Sequence, residues 1–233
     1  MDLGGYGWTL VQGAAVTLQL GFAALAVAIG IGLLVALAKL GRVVPLRWLA
    51  TAYTTVVRGI PELVLMLLIY YGGPTVLQHG IRSLGGQFSE FQLDFSPFLA
   101  GTITLGIIYG AYMAEVFRGA IQSIPPGQIE AGRAYGMTQT VLFRFVVLPQ
   151  MMRFAVAGTG NVWLILLKAT ALASAIQLPE LMRAAEIGAA ATRTPFNFYL
   201  TAAAIYLGVT ALSLLAVRQI ERWAFRGEKR VTQ

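Results

Sequence analysis

The chain contains no cysteine and a single histidine, His79, among 233 residues. A disulfide, a thiolate nucleophile and a Cys-ligated metal are therefore excluded, as is a His-rich metal site within one chain. Charge is scarce too. Asp, Glu, Lys and Arg make up 12% of the sequence, against about 25% in an ordinary soluble domain. Apolar residues take their place, at 57%, with a mean hydropathy of +0.71. This composition rules out a soluble enzyme, a disordered chain and a collagen-like chain, and it directs the reading to the membrane.

A helix needs about 20 apolar residues to cross the hydrocarbon core. Five runs meet that need, and the expected spans cover residues 12–38, 53–77, 97–118, 154–178 and 196–218. The fourth is interrupted only by Lys168. The runs are long and continuous rather than alternating ten-residue segments, which favours helices over barrel strands. The fold class expected is thus an all-α membrane protein, with residues 1–233 forming one transmembrane domain. The first run has only Asp2 before it and no basic region, so it is expected to be a span and not a cleaved signal peptide.

The formal charge of +7 reads first as topology. Lys39, Arg42, Arg47 and Arg58 follow the first span. Arg118, Arg133, Arg144 and Arg153 follow the third. Arg218, Arg222, Arg226, Lys229 and Arg230 follow the fifth. Together they are thirteen of the 17 basic residues, all on one side. The positive-inside rule puts that side in the cytoplasm, with the N-terminus periplasmic and the C-terminus cytoplasmic. No nucleic-acid partner is called for; the partner surface is a lipid bilayer. The outside connections, 78–96 and 179–195, read as an ordinary polar loop and a short surface helix.

The cytoplasmic stretch 121–150 is longer than a helix–helix connection requires. Its pattern predicts two short helices with a bend at Gly136. Thr138 is the expected N-cap of the second, and Leu148-Pro149 is expected to close the segment. Within it stand Glu130-Ala131-Gly132, three residues, Gly136, nine residues and Val146-Val147-Leu148-Pro149. This spacing resembles the Glu-Ala-Ala signature of permease subunits of bacterial ATP-binding-cassette importers, with Gly132 in place of Ala and Val146 in place of Ile. Further resemblance covers nearly the whole chain: Gln12-Gly13 to Leu20, Arg58-Gly59-Ile60-Pro61 to Tyr71, Tyr109 to Pro125, and Lys168-Ala169-Thr170-Ala171-Leu172. The chain is similar to the polar amino-acid group of these permeases, most of all to those for histidine, lysine, arginine, ornithine and opines.

That resemblance implies a five-helix permease of the type I importer fold in the bacterial inner membrane. It implies an ATP-binding-cassette ATPase dimer, a second homologous permease (a heterodimer in preference to a homodimer) and a periplasmic amino-acid-binding protein. It also implies that ATP is hydrolysed elsewhere. Gly-x-x-x-x-Gly-Lys-Ser/Thr is absent from the sequence, so no phosphate-cradling loop is available. No cofactor, no metal and no catalytic residue are expected in this chain; ATP and Mg belong to the partner. Coupling to the ATPase is expected at Glu130, Ala131, Gly132, Gly136, Leu148 and Pro149. Glu130 would pair with a basic residue there, and Ala131, Gly132 and Ala134 are small enough to seat in a groove.

An ionisable side chain at membrane depth costs a few kcal/mol on insertion scales, so each one demands a reason. Glu62, after Pro61, reads as an interfacial cap suited to a helix N-terminus in preference to a substrate ligand. Glu115 is either paired with Arg118 at i,i+3 or lines a path for a cationic substrate. Asn161 and Lys168, seven apart, share one face of the fourth span, with Thr170 and Ser174 beside it. This face is excluded from lipid and is either a helix lock, with Glu115 available to Lys168, or part of the substrate path. Gly106 and Gly110 read as a close helix-packing pair. A secondary transporter would require matching halves with discontinuous helices, and five unequal spans offer none. A membrane-embedded enzyme would require a catalytic cluster at one depth, which one histidine and scattered acids do not supply.

Overall fold

The computed structural model describes residues 3–83 and 96–225. The outer loop with Glu90 and Asp94, and the tail residues Arg226, Lys229 and Arg230, lie outside the described residues. Every element described is helical: α1 Gly7–Leu40, α2 Val44–Gly59, α3 Glu62–Leu67, α4 Gly73–Ser83, α5 Pro97–Gln122, α6 Pro126–Ala134, α7 Gln139–Leu142, α8 Leu148–Ala169, α9 Leu181–Thr192 and α10 Pro195–Ala224.

Four of the expected spans are present as helices long and apolar enough to cross a membrane. The second is not a straight helix. Pro61 holds the preceding Ile60 in extended backbone, at φ −101° and ψ 138°, so α2 stops at Gly59. The chain restarts at Glu62 bent by 109°. A single-turn π segment, Leu68–Gly72, then joins α3 to α4. Periodicity alone could not show this break, because both sides of it are apolar.

The centre of the bundle is α1 against α5. α1 buries Gly13, Thr17, Gly21, Ala24, Ala28, Gly32 and Ala36, a ladder of small residues at three- and four-residue steps. α5 answers with Gly106 and Gly110. A Cβ on Gly110 would lie 2.8 Å from Ile31, one on Gly32 would lie 2.5 Å from Met113, and one on Gly106 would collide with Val27. Lipid gives helices no hydrophobic reason to associate, so this close approach of backbones is a main source of cohesion. The packing reading of Gly106 and Gly110 is therefore correct, and its partner is α1. α8 lies on α5, with Val116 against Gly158, and α10 lies on α8, with Val217 against Gly160. α10 otherwise exposes Leu207, Leu212, Leu215 and Ile220, as a helix at a lipid boundary does.

α9 is more than a surface helix. It is wedged between α1 and α10, with Leu10, Leu181, Ala185 and Phe198 in one buried cluster. Glu180 caps it and is 0% exposed. Its carboxylate accepts from Arg183 N at 2.8 Å, Tyr206 OH at 3.1 Å and Thr17 Oγ1 at 3.3 Å. Burial pushes this carboxyl above the usual carboxylate range, against the pull of its hydrogen-bond donors.

Candidate functional site

At one end of the bundle, α6 and α7 form the two-helix loop expected from the spacing. α6 ends in a Schellman motif: Met137 N donates to Gly132 O at 3.1 Å and Gly136 N donates to Arg133 O at 2.9 Å. That motif requires a left-handed residue, and Gly136 supplies it at φ +75°. Thr138 caps α7, its Oγ1 accepting from Val141 N at 3.4 Å.

Glu130, Ala131 and Ala134 are exposed, so they are free to meet a partner. Gly132 is not. It is the buried residue of α6, turned onto Leu142, where a Cβ would collide with that side chain. It lets the two short helices close on each other and does not form part of a docking face. Leu148 and Pro149 do not close the segment either. The helix continues from α7 through a π segment, Phe143–Val147, directly into α8, with Pro149 in the first turn, where its missing N–H costs nothing. The loop therefore has one hinge-like end, at Gly136, and one end built rigidly onto a span. Two exposed aromatics of this loop were not picked out for docking from the sequence: Tyr135, 85% exposed, and Phe145, 66% exposed. Large aromatics in a polar loop were a legible signal for a docking surface.

Deeper in the bundle, a polar stripe that winds around α5 carries Tyr109, Tyr112, Glu115, Arg118 and Gln122 at steps of three and four residues. Glu115 pairs with Arg118 at 2.8 Å, as the spacing suggested. It also accepts from Lys39 in the last turn of α1, and Lys39 donates to Thr54 of α2 at 2.7 Å. Glu115 is thus fully engaged and unavailable to Lys168. Arg118 extends the chain to Gln122 at 3.0 Å. Above it, the Arg58 guanidinium stands 5.1 Å over the Tyr112 ring, and Tyr112 stacks on Tyr109 at 5.6 Å. Tyr109 OH donates to Glu62 at 3.0 Å. Lys39, Thr54, Thr55, Arg58, Tyr112 and Glu115 border an open cavity of about 390 Å³.

Glu62 is consequently not at a membrane surface. Its partner Tyr109 lies twelve residues from the start of α5 and thirteen from its end. The 109° break delivers the first turn of α3 to mid-depth, and residue order alone could not reveal that.

Asn161 and Lys168 are both exposed on α8, on the stripe that begins with Arg153. Among the described residues no side chain of the three makes a hydrogen bond or an ion pair. Thr170 does not join them. It is fully buried, with its hydroxyl donating to Leu167 O at 2.7 Å. Ser174 is half-buried on the 3₁₀ segment Thr170–Ile176 that ends this span. Among the described residues no cluster of metal-ligating side chains occurs.

Comparison with known proteins agrees with this architecture. Residues 28–226 match the family described as binding-protein-dependent transport system inner membrane component. The octopine transport system permease protein OccQ of Rhizobium radiobacter is 43% identical over 97% of this chain and 94% of its own. The histidine/lysine/arginine/ornithine transport system permease protein HisQ of Salmonella typhimurium is 42% identical over 97% of both. A solved amino acid ABC transporter with histidines superposes at a TM-score of 0.80 and 33% identity, over 96% of this chain and 99% of its own. The MetNI methionine ABC transporter shares the fold, at a TM-score of 0.69 and 21% identity, over 94% of this chain and 97% of its own. With four long apolar helices, one bent pair and a family match across most of its length, this chain belongs to the binding-protein-dependent transport system inner membrane components, the multi-pass permeases of ABC importers.

Proposed function

We propose that the chain is a five-span permease subunit of an ATP-driven importer for polar, mainly basic, amino acids or opines in a bacterial inner membrane. The bent pair α2–α3 counts as the second span. The α6 end faces the cytoplasm, as the basic residues there favour, and the N-terminus is periplasmic. A partner ATPase dimer binds ATP and Mg and hydrolyses the nucleotide. A homologous second permease completes the membrane part, as a heterodimer, and a periplasmic binding protein delivers the substrate.

The observation that carries this reading is the exposed α6–α7 loop fused to α8. A push on Glu130, Ala131, Ala134 and Tyr135 has no slack at Leu148–Pro149 and passes into the span that carries Asn161 and Lys168. Two permeases rocking about their shared interface would then open the path alternately to each side. The substrate names of the relatives support amino acids and opines as the class.

Reconstitution tests it. Vesicles containing this chain, its second permease and its ATPases should take up arginine or histidine only with loaded binding protein and ATP, and ionophores should leave uptake intact. Uptake by this chain alone, driven by an ion gradient, would establish a secondary transporter instead.

A further inference from the structure

Charge does not balance at the end of the bundle that carries the α6–α7 loop. Lys39 stands in the last turn of α1, and Glu115 and Arg118 stand in the last two turns of α5. Arg58 is the penultimate residue of α2. These are three cations against one carboxylate. Glu115 is saturated, with one oxygen accepting from Lys39 and the other from Arg118. Arg58 forms no ion pair and no side-chain hydrogen bond among the described residues. Its guanidinium is held over the Tyr112 ring by a cation–π contact, which leaves its fork of N–H donors open. Lys39 uses two of its three N–H groups, on Glu115 and Thr54, and has one left.

Lys39, Thr55, Arg58 and Tyr112 border the same cavity, the opening of about 390 Å³ between α1, α2 and α5. Unused donors and an excess of positive charge therefore meet at one space, and the exposed Thr55 adds a hydroxyl on its rim. The helix surfaces beside it are apolar. Leu37 and Leu40 are exposed on either side of Lys39 on α1, and Trp48, Leu49 and Val56 are exposed on α2. Tryptophan is the residue that favours the boundary between lipid and water. A soluble anion would meet the donors and leave that apolar surface uncovered. An anion carried on hydrocarbon satisfies both, and basic pockets between spans on the cytoplasmic side recognise anionic headgroups.

We propose that this cavity binds the headgroup of an anionic phospholipid from the leaflet on the α6–α7 side. Arg58 donates to two phosphate oxygens through its fork. The remaining Lys39 N–H and the Thr55 hydroxyl donate beside it, and the acyl chains lie along Trp48, Leu49 and Val56. One phosphodiester charge brings the cluster to three cations against two anions. The bound lipid ties α1 and α5 to α2 immediately before the break at Pro61. The headgroup chemistry holds whichever way the chain is inserted; that the leaflet is the inner one rests on the importer reading above.

Native mass spectrometry of the purified, lipid-stripped permease–ATPase complex tests the site. The complex is titrated with phosphatidylglycerol and with phosphatidylcholine of the same acyl chains, in which choline cancels the phosphate charge. Wild type should bind phosphatidylglycerol at least about tenfold more tightly. Arg58→Gln should lose about tenfold for phosphatidylglycerol, and with it the preference, whereas Arg58→Lys should keep part of it. A wild type indifferent to the headgroup, or an Arg58→Gln complex with its preference intact, would overturn the site. Glycerol phosphate competing as strongly as the lipid would also overturn it and assign the cavity to a soluble phosphate compound. Where Arg58→Gln does not assemble, Thr55→Asp sets a negative charge on the exposed rim. It should weaken phosphatidylglycerol by a similar factor, and an unchanged preference would overturn the site. Thr55→Cys, the only cysteine of its chain, should react with a maleimide in the lipid-free complex and be shielded by phosphatidylglycerol. A Thr55→Cys inert in the lipid-free complex would put the second permease over the cavity and overturn the lipid site. Labelling of Gln128→Cys from outside intact cells would refute the assigned leaflet alone, since the headgroup preference is measured without regard to orientation.

Discussion

Glu115 and Glu180 show how this chain keeps charge inside a membrane bundle. The Lys39 and Glu115 side chains are 11% and 24% exposed, and Glu115 has a second cation in Arg118. Lys39→Met removes one of the two and should destabilise the detergent-solubilised complex by about 1–2 kcal/mol, less than for a fully buried pair because Arg118 remains. Lys39→Arg should recover most of it, and thermal unfolding reads both. At Glu180, Ala removes a helix cap and leaves Thr17 and Tyr206 without their acceptor, a loss of about 2 kcal/mol. Glu180→Gln keeps the shape without the charge and should cost less. Because burial raises this carboxyl in the fold, stability should decline as pH rises from the ordinary carboxylate range toward the raised value. A Glu180→Gln complex should lose that slope. The Glu115–Arg118 pair was legible from i,i+3 spacing. Lys39 and Glu180 were not, because their partners lie 76 and 163 residues away and only tertiary packing brings them together.

At the scale of elements, local chemistry was legible and long-range geometry was not. Gly136, Thr138 and the two short helices followed from turn and cap residues. The continuation of α7 through Leu148-Pro149 did not, since proline at the start of a helix and proline after one look alike in sequence. The 109° break before Glu62 was hidden for a related reason: Pro61 marks a boundary, but nothing local gives the angle. Two substitutions test the element contacts. Gly106→Val drives a branched side chain into Val27 and should cost about 1–3 kcal/mol of stability, with Val27→Ala in the same chain restoring part of it. Gly136→Val forces a β-branched residue to positive φ, at a cost of about 1–2 kcal/mol, and should lower stimulated ATPase activity even where the complex assembles.

At the scale of the whole molecule, α5 and α8 are the long helices that reach from the α6–α7 loop through the bundle. The chain's lack of cysteine makes the orientation directly measurable. Gln128→Cys on α6 and Thr194→Cys before α10 are both at exposed positions. In intact cells an impermeant thiol reagent should label Thr194→Cys and spare Gln128→Cys until the membrane is opened. The central claim is that the α6–α7 loop carries the ATPase stroke into α8. The most direct measurement is ATPase activity of the reconstituted importer, with and without loaded binding protein, for wild type and for the double substitution Glu130→Ala with Tyr135→Ala. The account predicts an assembled complex that hydrolyses ATP but responds to loaded binding protein several-fold less than wild type, with uptake falling in proportion. A full response and full uptake in the double variant would contradict it and would place the coupling contact elsewhere on the molecule.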